Sequence, residues 1–174
     1  MNINELLKEF GTIQNYQKKT HVFLQGDEDQ YIYAIQEGVL KAYYNDMKGK
    51  EYIKSFLFSG DNIASTKALN RGKCSFSLLC LKDTTIIKLP YQKVRELAAN
   101  NLEVANSIIE LLMSFAMKKE QREYELLCLS AEQRYKNLLE KSPNISEQIT
   151  QNNIARYLGI TPVALSRIKH KQKE

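Results

Sequence analysis

The residues best equipped for chemistry gather at the end of the sequence. Ser166, Arg167, Lys169, His170, Lys171 and Lys173 lie within "VALSRIKHKQKE". A guanidinium, a hydroxyl and several ammonium groups at this density suit a polyanion. Arg167 offers a bidentate donor pair of the kind that reads a guanine edge. The lysines neutralise phosphates, which gives salt-dependent affinity without sequence information. Taken alone, the run would be a solvated basic end of the chain. Its weight comes from what precedes it. Thr150 and Gln151 open one short helical segment, and Thr161, Pro162 and Val163 open the next. These residues, with Ser166, Arg167, Lys169 and His170, form the candidate DNA-binding set.

Catalytic chemistry is not expected. No Gly-rich phosphate loop, metal-ligand cluster or nucleophile set is present. The two histidines, His21 and His170, stand at opposite ends of the chain. Cys74, Cys80 and Cys128 show no CxxC spacing, which argues against zinc and against a disulfide framework and for buried thiols. Gly60–Asp61 reads as a turn.

Two helices must position the basic face. Ala155 is small where a second helix would cross, and Gly159, four residues later, tolerates the turn. Leu165 and Ile168, six and nine residues after the glycine, face inward with Ile154, Leu158 and Ile160. Thr150 caps the first helix, and Thr161 caps the second with Pro162 at its first position. This is the packing pattern of a helix-turn-helix. Upstream, Ser130 and Gln133 form a capping box that starts another helix, which Tyr135, Leu138 and Leu139 make amphipathic and Pro143 ends.

A longer helix is expected over about 101–129. Ala105, Ile108, Leu112, Phe115, Lys119, Arg122 and Leu126 follow steps of three and four, a heptad seam with a polar middle. Such a helix either packs on its own sheet or pairs with a second copy. Its length of about 37 Å favours the dimer. Before it, from about Gly11 to Leu89, short apolar and aromatic runs alternate with turn signals such as "QEGV", "NDMKGK" and "FSGDN", as in an antiparallel sandwich or barrel. Pro90 suits the first turn of a short helix that follows, and Tyr31, Tyr33, Tyr43, Tyr44 and Tyr52 read as strand residues. Ile3, Leu6, Leu7 and Phe10 make an N-terminal helix. The expected fold is α+β: an antiparallel β-roll with a dimerisation helix in 1–129, then a small all-α helix-turn-helix domain in 130–174.

The 174 residues suffice for one domain and a small appendage, and a net charge of +5 favours a polyanionic partner only weakly. The longest apolar run, Ile108 to Met117, is about half of a membrane span. "MNINELLKEF" lacks the basic start of a signal peptide, so a cytoplasmic protein is expected.

The order of short helix, β-roll, long helix and helix-turn-helix resembles the Crp/Fnr family of transcription regulators, whose sensory part is a cyclic-nucleotide-binding-like domain. The resemblance rests on "IYAIQEGVLKAYYNDMKGKEYIKSFLFSGDNI", "SAEQRYKNLLEKSP" and "ITQNNIARYLGITPVALSRIK". It implies a homodimer that places its two recognition helices in successive major grooves of double-stranded DNA, a small-molecule effector in the roll, and RNA polymerase as a further partner. It also implies effector contacts at Ser65, Thr66, Lys73, Cys74 and Ser75, although a collapsed, apolar-filled roll is an equal alternative. Family members that bind cyclic AMP carry a Gly–Glu pair and an Arg–Ser pair. Here those places read Ala64–Ser65 and Cys74–Ser75, with Lys73 or Arg71 as the only substitutes for the arginine. Cyclic AMP is therefore not the expected effector. Residues 1–30 hold no cysteine, so no iron–sulfur cluster is expected. No β-wing follows the second helix before Glu174, and apolar Val163 stands where polar base readers are common. A module that binds a ligand or partner and no longer reads DNA is the alternative function.

Overall fold

The computed structural model describes residues 3–171. Helix α1 (Ile3–Phe10) buries Leu6 and Leu7. Eight strands follow: β1 (Thr12–Tyr16), β2 (His21–Phe23), β3 (Tyr31–Glu37), β4 (Leu40–Asn45), β5 (Glu51–Leu57), β6 (Asn62–Ile63), β7 (Ser77–Cys80) and β8 (Thr84–Pro90). They form two antiparallel four-stranded sheets, in the orders β1-β8-β3-β6 and β2-β7-β4-β5. Every connection except the β4–β5 hairpin crosses between the sheets, which closes the chain into a roll. At the β3–β4 crossing Gly38 has φ +115°, and a Cβ there would lie 2.4 Å from Thr84 Oγ1, so only glycine fits.

Alternation along the strands sends one side of each sheet inward. Phe23, Tyr33, Ile35, Leu40, Phe76, Leu78 and Ile86 meet there, with Cys74 and Cys80 among them. The expected strand tyrosines are confirmed at Tyr31 and Tyr33 in β3, Tyr43 and Tyr44 in β4, and Tyr52 in β5.

Helices α2 (Thr66–Leu69), α3 (Tyr91–Asn100) and α4 (Leu102–Cys128) flank the roll. Pro90 is not the first helical residue, as expected from its type. It ends β8 opposite Tyr31, and α3 begins one residue later. Helix α4 starts at an Asn101 cap, whose Oδ1 accepts from Val104 N at 3.2 Å.

The structure divides the seam read from the sequence between the roll and solvent. Val104 and Leu111 are buried against Leu6, Leu7, Leu89 and Val94, and Ile108 and Phe115 pack partly into the same cluster. Arg122 is engaged by Tyr157. Lys119 is exposed, and of the aliphatic seam residues Leu112 and Leu126 face solvent. The helix carries a second apolar face, formed by Leu102, Ile109, Met113, Met117, Tyr124 and Leu127, all exposed in the single chain. Spacing alone reveals that apolar stripes exist; the roll decides which one it covers.

Helices α5 (Ala131–Lys141), α6 (Ile145–Gln148), α7 (Gln151–Leu158) and α8 (Pro162–Lys171) complete the fold. The Ser130–Gln133 capping box is formed in both directions. The helical segment is not detached from the roll. Its cluster of Tyr135, Leu138, Ile145, Ile154, Leu158 and Leu165 includes Val39 of the roll, with Phe56, Phe58 and Leu81 packed against it.

Candidate nucleic-acid interface and sensory roll

The α7–α8 pair follows from its inward residues. Ile154, Ala155, Leu158 and Leu165 are fully buried, and Ile168 nearly so. Gly159 adopts φ 71°, ψ 27°, the left-handed C-cap, and Ile160 N returns to Ala155 O at 3.0 Å. Thr150 Oγ1 accepts from Asn153 N at 3.4 Å, and Thr161 Oγ1 accepts from Ala164 N at 3.2 Å. Both threonines thus act as the caps their positions suggested.

This packing leaves one face of α8 outward. Thr161, Pro162, Val163, Ser166, Arg167 and His170 are exposed, Lys169 is half-buried, and Gln151 is exposed at the start of α7. Lys171 bonds Glu132 at 3.2 Å, so it is not a free cation of this face. Lys173 lies outside the described residues.

The five expected effector residues are divided. Ser65 and Cys74 are buried, and Ser65 Oγ accepts from the half-buried Ser75 N at 3.2 Å. Burial pushes the Cys74 thiol up to about 11, so it stays neutral. Thr66 and Lys73 are both exposed. Arg71 is also exposed, at φ 60°. His21 Nε2 lies 2.8 Å from Tyr43 Oη, a structural pairing between strands.

One interior cation was not legible in the sequence. Lys54 on β5 is half-buried, with its Nζ 5.0 Å from the Phe76 ring centre. Burial lowers its pKa, and the nearby charges of Lys119 and Lys118 lower it further. An alternating strand pattern does not show that a distant helix brings Lys118 and Lys119 close.

The junction between roll and helices was missed for the same reason. Glu51 Oε2 receives both Lys41 Nζ and Arg156 Nη1, each at 2.7 Å. The Tyr157 ring lies 5.3 Å from that of Phe56, and the Arg122 guanidinium sits 3.8 Å from its centre while donating to Tyr157 O. Glu125, buried on α4, bonds Lys141 at 2.6 Å and Gln121 at 3.1 Å. Arg134 bonds Leu158 O at 2.9 Å. Together these contacts tie β5 and α4 to α5 and α7.

Among the described residues, no helix is long and apolar enough to cross a membrane, and no group of three or more acidic, histidine or cysteine side chains could hold a metal ion. Residues 13–101 match the cyclic nucleotide-binding domain family. The chain is 29% identical over 164 residues to the regulatory protein HlyX of Actinobacillus pleuropneumoniae, covering 87% of this chain and 68% of that protein. It is 28% identical to the fumarate and nitrate reduction regulatory protein of Vibrio cholerae, covering 87% of this chain and 65% of the relative. It thus spans about two-thirds of the length of these relatives. The structure of FixK2 from Bradyrhizobium japonicum superposes with a TM-score of 0.82 at 18% identity, over 92% of this chain and 83% of that one. A CooA mutant from Carboxydothermus hydrogenoformans gives 0.76 at 17% identity, over 97% and 78%. With a matching domain that fills half of its length, the chain belongs to the cyclic nucleotide-binding domain family, and the long helix and helix-turn-helix that continue it give it the fold of the Crp/Fnr regulators.

Proposed function

We propose that the chain is a cytoplasmic, DNA-binding transcription regulator that works as a dimer under the control of a small-molecule effector in the roll. The observation that carries this reading is the α7–α8 pair: its core is closed and capped, and the outer face of α8 presents Ser166, Arg167 and His170 to solvent. A helix presented in this way fits the major groove. The outward apolar face of α4, with Ile109, Met113 and Met117 at its centre, supplies the surface for a second copy. Two recognition helices would then read an inverted repeat with half-site centres about 34–36 Å apart. RNA polymerase is the partner through which such binding would act.

The effector is not cyclic AMP on this reading. Ser65 already uses its hydroxyl inside the protein, Cys74 is neutral and packed in the core, and Arg71 faces outward. A cyclic phosphate among these groups would lack a partner cation. Lys54, with Lys118 and Lys119 nearby, supports an anionic effector of different shape, held between β5 and α4.

Selection of random DNA by the purified protein, with and without cell extract, tests the reading. Enrichment of an inverted repeat is expected. Failure to enrich any sequence in either condition would favour a module of the same fold that binds a ligand or partner and has lost specific DNA, which the exposed apolar Val163 on α8 also suits.

A further inference from the structure

A cavity outside the roll opens where α2, α3 and α4 meet. It has a volume of about 360 Å³ and is lined by Thr66, Leu69, Asn70, Arg71, Tyr91, Arg95 and Leu112. Among the described residues its charged lining is the two arginines, and no carboxylate lines it. Neither guanidinium has an ion pair or hydrogen-bond partner among the described residues. A cation or an amine would find no counter-charge here. An anion would find two guanidinium forks, a hydroxyl and an amide.

The walls narrow the choice further. Leu69, Tyr91 and Leu112 give the cavity an apolar side, so an occupant with an uncharged body gains contact area beyond that of a bare ion. A carboxylate has two oxygens, which one arginine fork can satisfy. A phosphate monoester has three terminal oxygens and about twice the charge, enough for two forks and a further donor. The turn after α2 holds Arg71 in place through Arg71 N to Ala68 O at 3.0 Å and Gly72 N to Lys67 O at 2.9 Å.

We propose that this cavity is a second ligand site, separate from the roll, that binds a small phosphate monoester through Arg71 and Arg95 with its organic body against Leu69, Tyr91 and Leu112. An occupant would touch the turn after α2, the helix α3 and the long helix α4 at once. The site is independent of whether the protein reads DNA.

Calorimetric titration of the full chain with phenyl phosphate is the test, with succinate as the dicarboxylate comparison. Saturable one-site binding is expected, about ten-fold or more tighter than succinate, and Arg71→Gln and Arg95→Gln should each weaken it by about ten-fold, as for a lost charged hydrogen bond. Both arginines are exposed, so unliganded melting temperatures should match that of the parent. Arg95→Lys, which keeps the charge and loses the fork, should bind between parent and Arg95→Gln. Lys88→Gln removes one charge on β8, outside the cavity lining, and should leave binding unchanged. Equal affinity for succinate, absence of saturable binding, or an equal loss in Lys88→Gln would overturn the proposal.

Discussion

Arg167 stands exposed on α8, where a guanidinium reaches a base edge with both donors if the helix lies in the major groove. Arg167→Ala should weaken binding to a selected operator by about 1–3 kcal/mol and leave binding to random DNA nearly unchanged. Equal losses on both, measured by fluorescence anisotropy, would reduce the residue to a phosphate contact. Lys171 differs because Glu132 already occupies it, an exposed pair of small worth. The three thiols separate just as clearly. Cys128 is exposed, whereas Cys74 and Cys80 are buried with thiols raised by desolvation. A thiol reagent at neutral pH should therefore modify one cysteine quickly and the other two only on unfolding; fast reaction at all three would contradict the buried placement. Exposure of Cys128 was not visible in its spacing. It depends on which face of α4 the roll covers.

Helices α7 and α8 show how local signals add up to an element pair. Ile154 is fully buried at their contact, so Ile154→Ala should cost about 2–5 kcal/mol in urea unfolding and abolish DNA binding. At Gly159 a Cβ meets nothing within 4 Å, so Gly159→Ala should cost only the left-handed backbone penalty of about 1–2 kcal/mol. A much larger loss would mean that the turn also excludes volume. Caps, turn glycine and inward apolar residues are local, so this pair was legible. Helix α4 was legible in extent but not in orientation. It has two apolar faces, and the same heptad steps run through both. Ile109→Glu, on the outward face, should shift sedimentation from dimer to monomer with the fold retained. Leu111→Ala, on the inward face, should instead lower stability by about 2–5 kcal/mol.

The junction of roll and helices sets how α8 is presented, and its charges make it acid-sensitive. Burial works against the charge on Glu125 and on Glu51, yet bonds to Lys141 and Gln121, and to Lys41 and Arg156, leave both carboxyls below the usual range. A carboxyl with a lower pKa folded than unfolded holds fewer protons in the folded state. Its contribution is therefore complete above the ordinary glutamate range, about pH 4.3, and is lost as pH falls through the lowered value. The urea midpoint should drop between neutral pH and about pH 4 or below, and the drop should be smaller in an E51Q/E125Q variant. An unchanged acid dependence in that variant would remove these pairs from the account.

Segments near in sequence were readable because their signals act over a few residues. The strand alternation, the Ser130–Gln133 box, the Thr150 and Thr161 caps and the αL turn at Gly159 each needed only neighbours within a turn or a strand. Contacts between distant segments were not. Glu51 meets Arg156 across 105 positions, and Arg122 meets Tyr157 across 35. Arg71 and Arg95 face one cavity only because α2, α3 and α4 converge. The pattern of residues settled which elements form and how the last two pack. The closing of the roll on α4 and α7 settled which stripe stays free, which cations share a site and which residues of the expected effector set lie inside, because burial and charge proximity are properties of the folded chain's distances.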